Sequence, residues 1–383
     1  MQALRKLAIT FLSAVLGGAI FWLLAVPLPW LLGSLFAASL LALTVGAAPL
    51  PGPGVRIGQM TIGLALGLYF TAPVIAGLLG NGTWIVVSAI LTCLLSLLGA
   101  VLFQRLTGCD AKTSFYSAAI GAASDMAQQA AASGARADLV ALVHSIRVFL
   151  VVSTVPWIAS AWLGSSALSH PLPRLSDLSG LPGMSDLPGL AGSGAWLGFS
   201  ETSALAAAGV VLAWGFGRLG LPNPWVLGPL VTALLAAVFW LADARLAPWL
   251  VAGGQVLLGW NLGQRFDRAR LSAFASAARA ALVMTGFYGL MGLGLAGLIW
   301  WATGLPWVVS FMATAPGGIA EMAIVAKVLG LDPPTVTAFH AVRMILMVVG
   351  AQALLWLGLR LHMLRASGAT ASPGASGNSP GRG

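Results

Sequence analysis

The chain has 383 residues, 58% of them hydrophobic and only 8% charged, with 48 glycines, 15 tryptophans and a net charge of +9; its mean hydropathy is +0.93. Soluble domains carry roughly 25% charged residues, so this composition excludes a water-soluble globular protein and points to an all-α polytopic membrane protein. Long continuous apolar runs, in place of alternating segments of about 10 residues, exclude a transmembrane barrel.

In chain order, the first half offers spans at Leu7–Val26, Trp30–Ala47, Ile57–Leu79 and Trp84–Phe103, a broken segment at Ser114–Ser133, and a span at Leu139–Leu163. Arg5 and Lys6 ahead of the first run imitate a signal peptide, but no clean small-x-small cleavage site precedes Pro27, so the run reads as a span. Residues 165–196, rich in Ser, Pro, Gly and Leu, read as a linker between membrane repeats 1–164 and 197–365. The second half repeats the layout: Leu197–Phe216, Trp225–Leu241, Pro248–Leu262, Ala280–Trp301, a broken segment Trp307–Leu329, and Pro334–Leu361. Residues 366–383 read as a disordered tail.

The halves align residue by residue. Pro27, Pro29, Trp30, Leu32 and Gly33 match Pro222, Pro224, Trp225, Leu227 and Gly228 at a separation of 195. At a separation of 196, Gln59 pairs with Gln255, Gly63 with Gly259, Gly67 with Gly263 and Gly121 with Gly317. Asp125 pairs with Glu321, His144 with His340 and Arg147 with Arg343 at the same separation. A carboxylate, a histidine and an arginine falling in register mark a duplication. Equivalent loops carry opposite charge patterns: the loop after Leu79 is uncharged, while its counterpart after Leu262 carries Arg265, Arg268, Arg270 and Arg279. Lys and Arg collect on the cytoplasmic side, so the copies are expected to be inverted, each with about five spanning helices and one broken helix, and with both termini cytoplasmic.

The polar residues concentrate at the second broken segment. Pro316 removes a backbone donor and Gly317 and Gly318 relax the chain, so the helix breaks there. The piece that follows, about 11 residues or roughly 16 Å, is too short to cross. His340 and Arg343, three apart, share a helix face and lie near mid-bilayer, where an arginine needs a partner. One reading makes Glu321 with Arg343, and Asp125 with Arg147, buried ion pairs that hold the broken helices in register. The other has the carboxylates exchanging protons or cations while arginines and half-helix ends bind an anionic solute. Gln59 and Gln255 are candidates to line the same pathway. Lys327, near a helix end, reads as a snorkelling side chain.

The net charge does not mark a nucleic-acid binder: no basic strip interleaved with aromatics and no helix-turn-helix or zinc-finger spacing is present. Cys93 and Cys109 read as packing thiols. The carboxylate–histidine separation of 19 within each copy lacks the short spacing of helical metal motifs. Neither a metal, a cofactor nor an enzymatic activity is expected.

PLPWLLGSL, PNPWVLGPL, APGGIAEMAIVAKVLGLD and FHAVRMILM together resemble the AbrB-type membrane proteins with an AbrB duplication domain, over about Leu7 to Leu361. The first copy departs, with Ala-Ile-Gly-Ala in place of Ala-Pro-Gly-Gly and Asp125 in place of glutamate. The resemblance implies an integral membrane protein of a family labelled as regulating gene expression or as an ammonia monooxygenase. The expectation is an inner-membrane secondary transporter of a small anionic or zwitterionic solute, coupled to protons or cations, with its site at the two broken helices. An indirect regulatory role is the alternative, and a membrane oxygenase stands behind both. The expected partners are a small molecule or ion and the lipid bilayer, without direct nucleic-acid binding.

Overall fold

The computed structural model describes residues 2–24, 26, 28–163, 196–221, 223–241, 244–266 and 274–364. The expected linker (apart from Trp196) and the expected tail lie outside the described residues, as do Arg268 and Arg270. Among the described residues the chain is all-helical, with 15 helices. The first copy runs α1 (Gln2–Leu23), α2 (Pro29–Thr44), α3 (Gly52–Gly67), α4 (Ala72–Gly80), α5 (Gly82–Thr107), α6 (Ala111–Ala118), α7 (Ala123–Ala132) and α8 (Ala137–Leu163). The second runs α9 (Phe199–Arg218), α10 (Pro224–Phe239), α11 (Pro248–Gly263), α12 (Ala275–Thr303), α13 (Trp307–Thr314), α14 (Ile319–Val328) and α15 (Pro333–Arg360).

Six of these helices are long and apolar enough to cross a membrane: α1, α5, α8, α9, α12 and α15. With exposed Leu16, Val211, Leu290 and Val349 on their outer faces, they give the pattern of a multi-pass membrane protein. The other four main helices, α2, α3, α10 and α11, have 16 residues each, about 24 Å at 1.5 Å per residue. The run expected as one span at Ile57–Leu79 is divided: α3 ends at Gly67 and α4 begins at Ala72. Pro73 disfavours helical backbone just before it and supplies no N–H to the turn it would continue, so the helix restarts there with Thr71 as its N-cap.

The helices sort into two bundles, each built from both copies. In the first, α1 packs on α2 and α9 on α10, and the pairs interlock as α11 lies on α2 and α3 on α10. Matched glycines permit this approach. A Cβ on Gly63 or Gly67 would run into the carbonyls of Val226 and Leu230, and one on Gly259 or Gly263 into those of Leu31 and Leu35. Close backbone contact through small residues is the usual way membrane helices gain packing energy where lipid offers no hydrophobic drive.

The second bundle holds α5 to α8 and α12 to α15. Here α15 and α12 from one copy pack on α5 from the other, and α12 also lies on α8. Between the bundles, α14 meets α3 and α8 meets α11. Phe149 of α8 also sets its ring edge-on to Phe36 of α2 and to Phe266, just past α11, with centroids 5.2 and 4.8 Å away.

Candidate functional site

Each broken segment folds as a hairpin of two half-helices that enters and leaves at the same end. In the first copy, Asp110 caps α6 by accepting the Thr113 N–H at 2.9 Å. Lys112 at the start of α6 donates to the Ser133 carbonyl beyond α7 at 3.0 Å, and the Arg136 N–H reaches Thr113 Oγ1 at 3.1 Å. Gly134 then turns the chain with φ of 76°, a left-handed conformation that glycine adopts without a Cβ penalty. The second copy repeats the arrangement: Gly330 has φ of 66°, and Asp332 caps α15, accepting from Thr335 Oγ1 at 2.6 Å. A cavity of about 460 Å³ lies at that hairpin's mouth, between Leu305, Pro306 and Val309 on entry and Gly330, Leu331 and Asp332 on exit.

At the closed ends, residues 119–122 and 315–318 separate the half-helices. The helix break falls where Pro316 and its neighbours put it, α13 ending at Thr314 and α14 starting at Ile319. The last carbonyls of a helix lack intrahelical partners, and burial makes an unpaired carbonyl costly. His340 and Arg343 of α15 supply the donors. Arg343 Nη1 donates to Ala315 O at 2.8 Å and Nη2 to Gly317 O at 2.6 Å, while His340 Nε2 lies 2.9 Å from Met312 O. The first copy matches atom for atom. Arg147 reaches Ala119 O at 2.9 Å and Gly121 O at 3.3 Å, and His144 Nε2 lies 2.8 Å from Tyr116 O.

Within each pair the arginine Nη2 also meets histidine Nδ1, at 3.0 Å in the first copy and 2.8 Å in the second. A guanidinium only donates, so Nδ1 must accept, and Nε2 then carries the hydrogen given to the carbonyl. Both imidazoles are therefore neutral and use both ring nitrogens. All four side chains are buried, the arginines 4% and 3% exposed and the histidines 0%. Each arginine keeps one donor, Nε, buried and without a hydrogen-bond partner among the described residues.

The carboxylates belong to the other half of each break. Glu321 sits in the first turn of α14, and its Oε2 occupies the space where a Cβ on Gly318 would go. It thus lies against the positive end of the half-helix dipole. Asp125 holds the equivalent place in the first turn of α7. There the N-cap is Ala122, and the shorter acid stands beside a residue that has the Cβ Gly318 lacks. The hydrogen bonds that hold Arg343 go to carbonyls and to His340, so arginine serves the negative end of one half-helix and carboxylate the positive end of the next.

Other candidates lie elsewhere. Gln59 of α3 donates to Asn223 Oδ1 at the start of α10 at 3.1 Å, inside the first bundle, and Gln255 is buried in α11. Sequence reasoning missed three residues that join the copies at the breaks. Tyr288 donates to Ala118 O at 2.7 Å, Gln352 donates to the Tyr116 hydroxyl at 2.8 Å, and Gln129 donates to Val348 O at 3.1 Å. Gln129 and Gln352 align with Val325 and Pro156, so the alignment of the halves gives no signal for them, and Tyr288 aligns with Thr92, a hydroxyl of shorter reach. Arg265, read only as a loop charge, is half-buried just past α11.

The sequence model of one family, described as Transition state regulatory protein AbrB, matches residues 30–358. The chain is 28% identical over 364 residues to the uncharacterized protein YhjN of Bacillus subtilis (strain 168), covering 87% of this chain and 88% of that one. It is 24% identical over 335 residues to a protein of Escherichia coli (strain K12) provisionally named regulator AbrB, covering 84% and 88%.

Proposed function

The chain belongs to the AbrB family, and from that premise we propose that it is an inner-membrane secondary transporter, not an enzyme, moving a small anionic or zwitterionic solute coupled to protons or cations. The observation that carries the reading is the pair of matching hairpins, each breaking its helix among buried charged side chains and each capped by a His–Arg dyad. Open backbone at membrane depth is tolerated where it is buried in protein or lines a cavity, and paired discontinuous helices are the common site of secondary transporters. The buried Nε donors of Arg147 and Arg343 are groups an anionic solute would engage. Glu321 and Asp125 are the groups to exchange the coupling ion, Pro316, Gly317, Gly318 and Gly121 leave the backbone open, and Gln59 and Gln255 line the pathway from the first bundle.

In this reading the copies are inverted, with five spanning helices and one broken helix in each and both termini in the cytoplasm. Two cross-copy contacts support it. Arg56 lies over the Trp225 ring at 4.9 Å and Arg136 over the Phe274 ring at 5.0 Å. The inverted order assigns all four to the cytoplasmic side, where basic residues gather, whereas a parallel order sets the members of the first pair on opposite sides. Movement of one bundle against the other then gives alternating access. The test is gradient-driven uptake by the purified protein in liposomes over a panel of carboxylates and amino acids, with Glu321→Gln and Arg343→Lys each expected to abolish it. No uptake across the panel, together with an unchanged host phenotype for Glu321→Gln, would sink the idea.

A second reading, an indirect regulatory role, is favoured by the name of the Escherichia coli relative. It expects a protein partner on the loop between Arg265 and Arg279, with no direct contact to nucleic acid. Replacing that loop should then remove the host phenotype while leaving uptake intact; loss of both together favours the transport reading.

A further inference from the structure

Lys327 closes α14, and a lysine in the last turn of a helix is accounted for by the helix dipole alone. That does not explain where its side chain goes. Its Nζ lies 5.0 Å from the ring centroid of Tyr69, in the turn after α3, and the guanidinium of Arg245 lies 5.7 Å from the same ring. Arg245 is held there by its backbone, which bridges to Trp196 and accepts the Leu197 N–H at 2.9 Å. Three segments distant in sequence thus bring two half-buried cations to one phenol, and Arg245 acts on Lys327 as a like charge.

The aromatic ring offsets part of the cost of holding two cations near it, through its electron-rich π system. The Tyr69 O–H is a donor. Between these groups lies a cavity of about 10 Å³ whose polar lining, among the described residues, is Tyr69, Trp196, Arg245 and Lys327, with no carboxylate. That is space for about one water-sized occupant. A monatomic ion suits that space better than a carboxylate or phosphate, each of three or more heavy atoms.

We propose that Lys327, Arg245 and Tyr69 form a binding site for a monatomic anion of the halide class, chloride being the natural occupant. The anion offsets both charges at once, which neither the ring nor the dipole does. Because Lys327 belongs to the hairpin bundle while Arg245 and Tyr69 belong to the interlocked bundle, an occupied site also ties the two bundles at that end. The site lies apart from the His–Arg dyads and requires no transport activity.

The experiment is thermal unfolding of the full chain in detergent, titrating sodium chloride against sodium gluconate at constant ionic strength. A ligand that binds the folded state raises its melting temperature by mass action. The wild type is expected to gain several degrees, saturably, in chloride and bromide but not in acetate. Lys327→Gln and Arg245→Gln should lose that gain, and Lys327→Arg should keep it. A flat response in the wild type, or the same gain in both glutamine variants, overturns the proposal. Should the glutamine variants not fold, bromide-soaked wild-type crystals decide it: an anomalous peak between Lys327 and Arg245 supports the site, and its absence there rejects it. Failure of the uptake assay leaves each of these outcomes unchanged.

Discussion

At the scale of single residues, the arginines of this chain close a helix end that proline and glycine have opened. Lysine keeps the charge but is a point donor without the planar fork that serves two carbonyls and an imidazole together. Arg343→Lys is therefore expected to destabilise the protein by about 2 kcal/mol, read as a lower melting temperature in detergent. Arg147→Lys should cost less, because its contact to Gly121 O is 3.3 Å where Arg343 approaches Gly317 O at 2.6 Å. The acids give a second contrast. Gly318→Ala puts a Cβ where the free end of the Glu321 side chain lies and should displace that carboxylate at a cost of up to about 1 kcal/mol. Adding Glu321→Asp, which copies the Ala122 and Asp125 pair, should recover much of that loss in the same melting measurement. The letters alone make Asp125, His144, Arg147 and their counterparts stand out, because polar residues are rare in an apolar chain. They do not disclose that the partners of the arginines are Ala119, Gly121, Ala315 and Gly317, since the groups involved are backbone carbonyls that every residue carries.

At the scale of elements, the two hairpins solve one problem by different means. In the first copy the Ile120 N–H, inside the break, is accepted by Ser96 Oγ of α5 at 3.2 Å. The equivalent residues 196 positions later are Pro316, which has no N–H to satisfy, and Gly292, which has no side chain to offer. Ser96→Ala is expected to leave a buried donor unpaired and to cost about 1–3 kcal/mol. Ser96→Gly combined with Ile120→Pro, which installs the second copy's solution, should restore most of the stability; additive losses in that double-mutant cycle would show the two positions to be independent. The helix break at Pro316 is legible in the sequence because its cause is local. The division of the Ile57–Leu79 run is less so, since Pro73 is also compatible with the first turn of a helix and only the structure has α3 stopping at Gly67.

At the scale of the whole molecule, the repeat of 195 to 196 residues reveals the duplication but not the way its halves are woven. That α2 takes α11, and α3 takes α10, depends on glycines meeting carbonyls of the other copy, and a one-dimensional pattern cannot assign such partners. If the bundles move against each other during transport, tying them must stop it. In a background with Cys93 and Cys109 replaced by serine, cysteines at Phe149 and Phe266, whose rings meet across the bundles, should block uptake when joined by a short thiol-reactive crosslinker and leave it intact before crosslinking. Cysteines at Phe21 and Phe36, both in the first bundle with centroids 5.6 Å apart, should leave uptake unchanged. The weave also bears on how the chain is made. α2 and α3 leave the ribosome long before α11 and α10 exist, so the amino-terminal half must wait in the bilayer with its glycine faces uncovered until synthesis passes Gly263. A nascent chain arrested before that point should remain open to protease and to quality control in α2 and α3, and one arrested well beyond Gly263 should become resistant there. Both copies must therefore be made before either is complete.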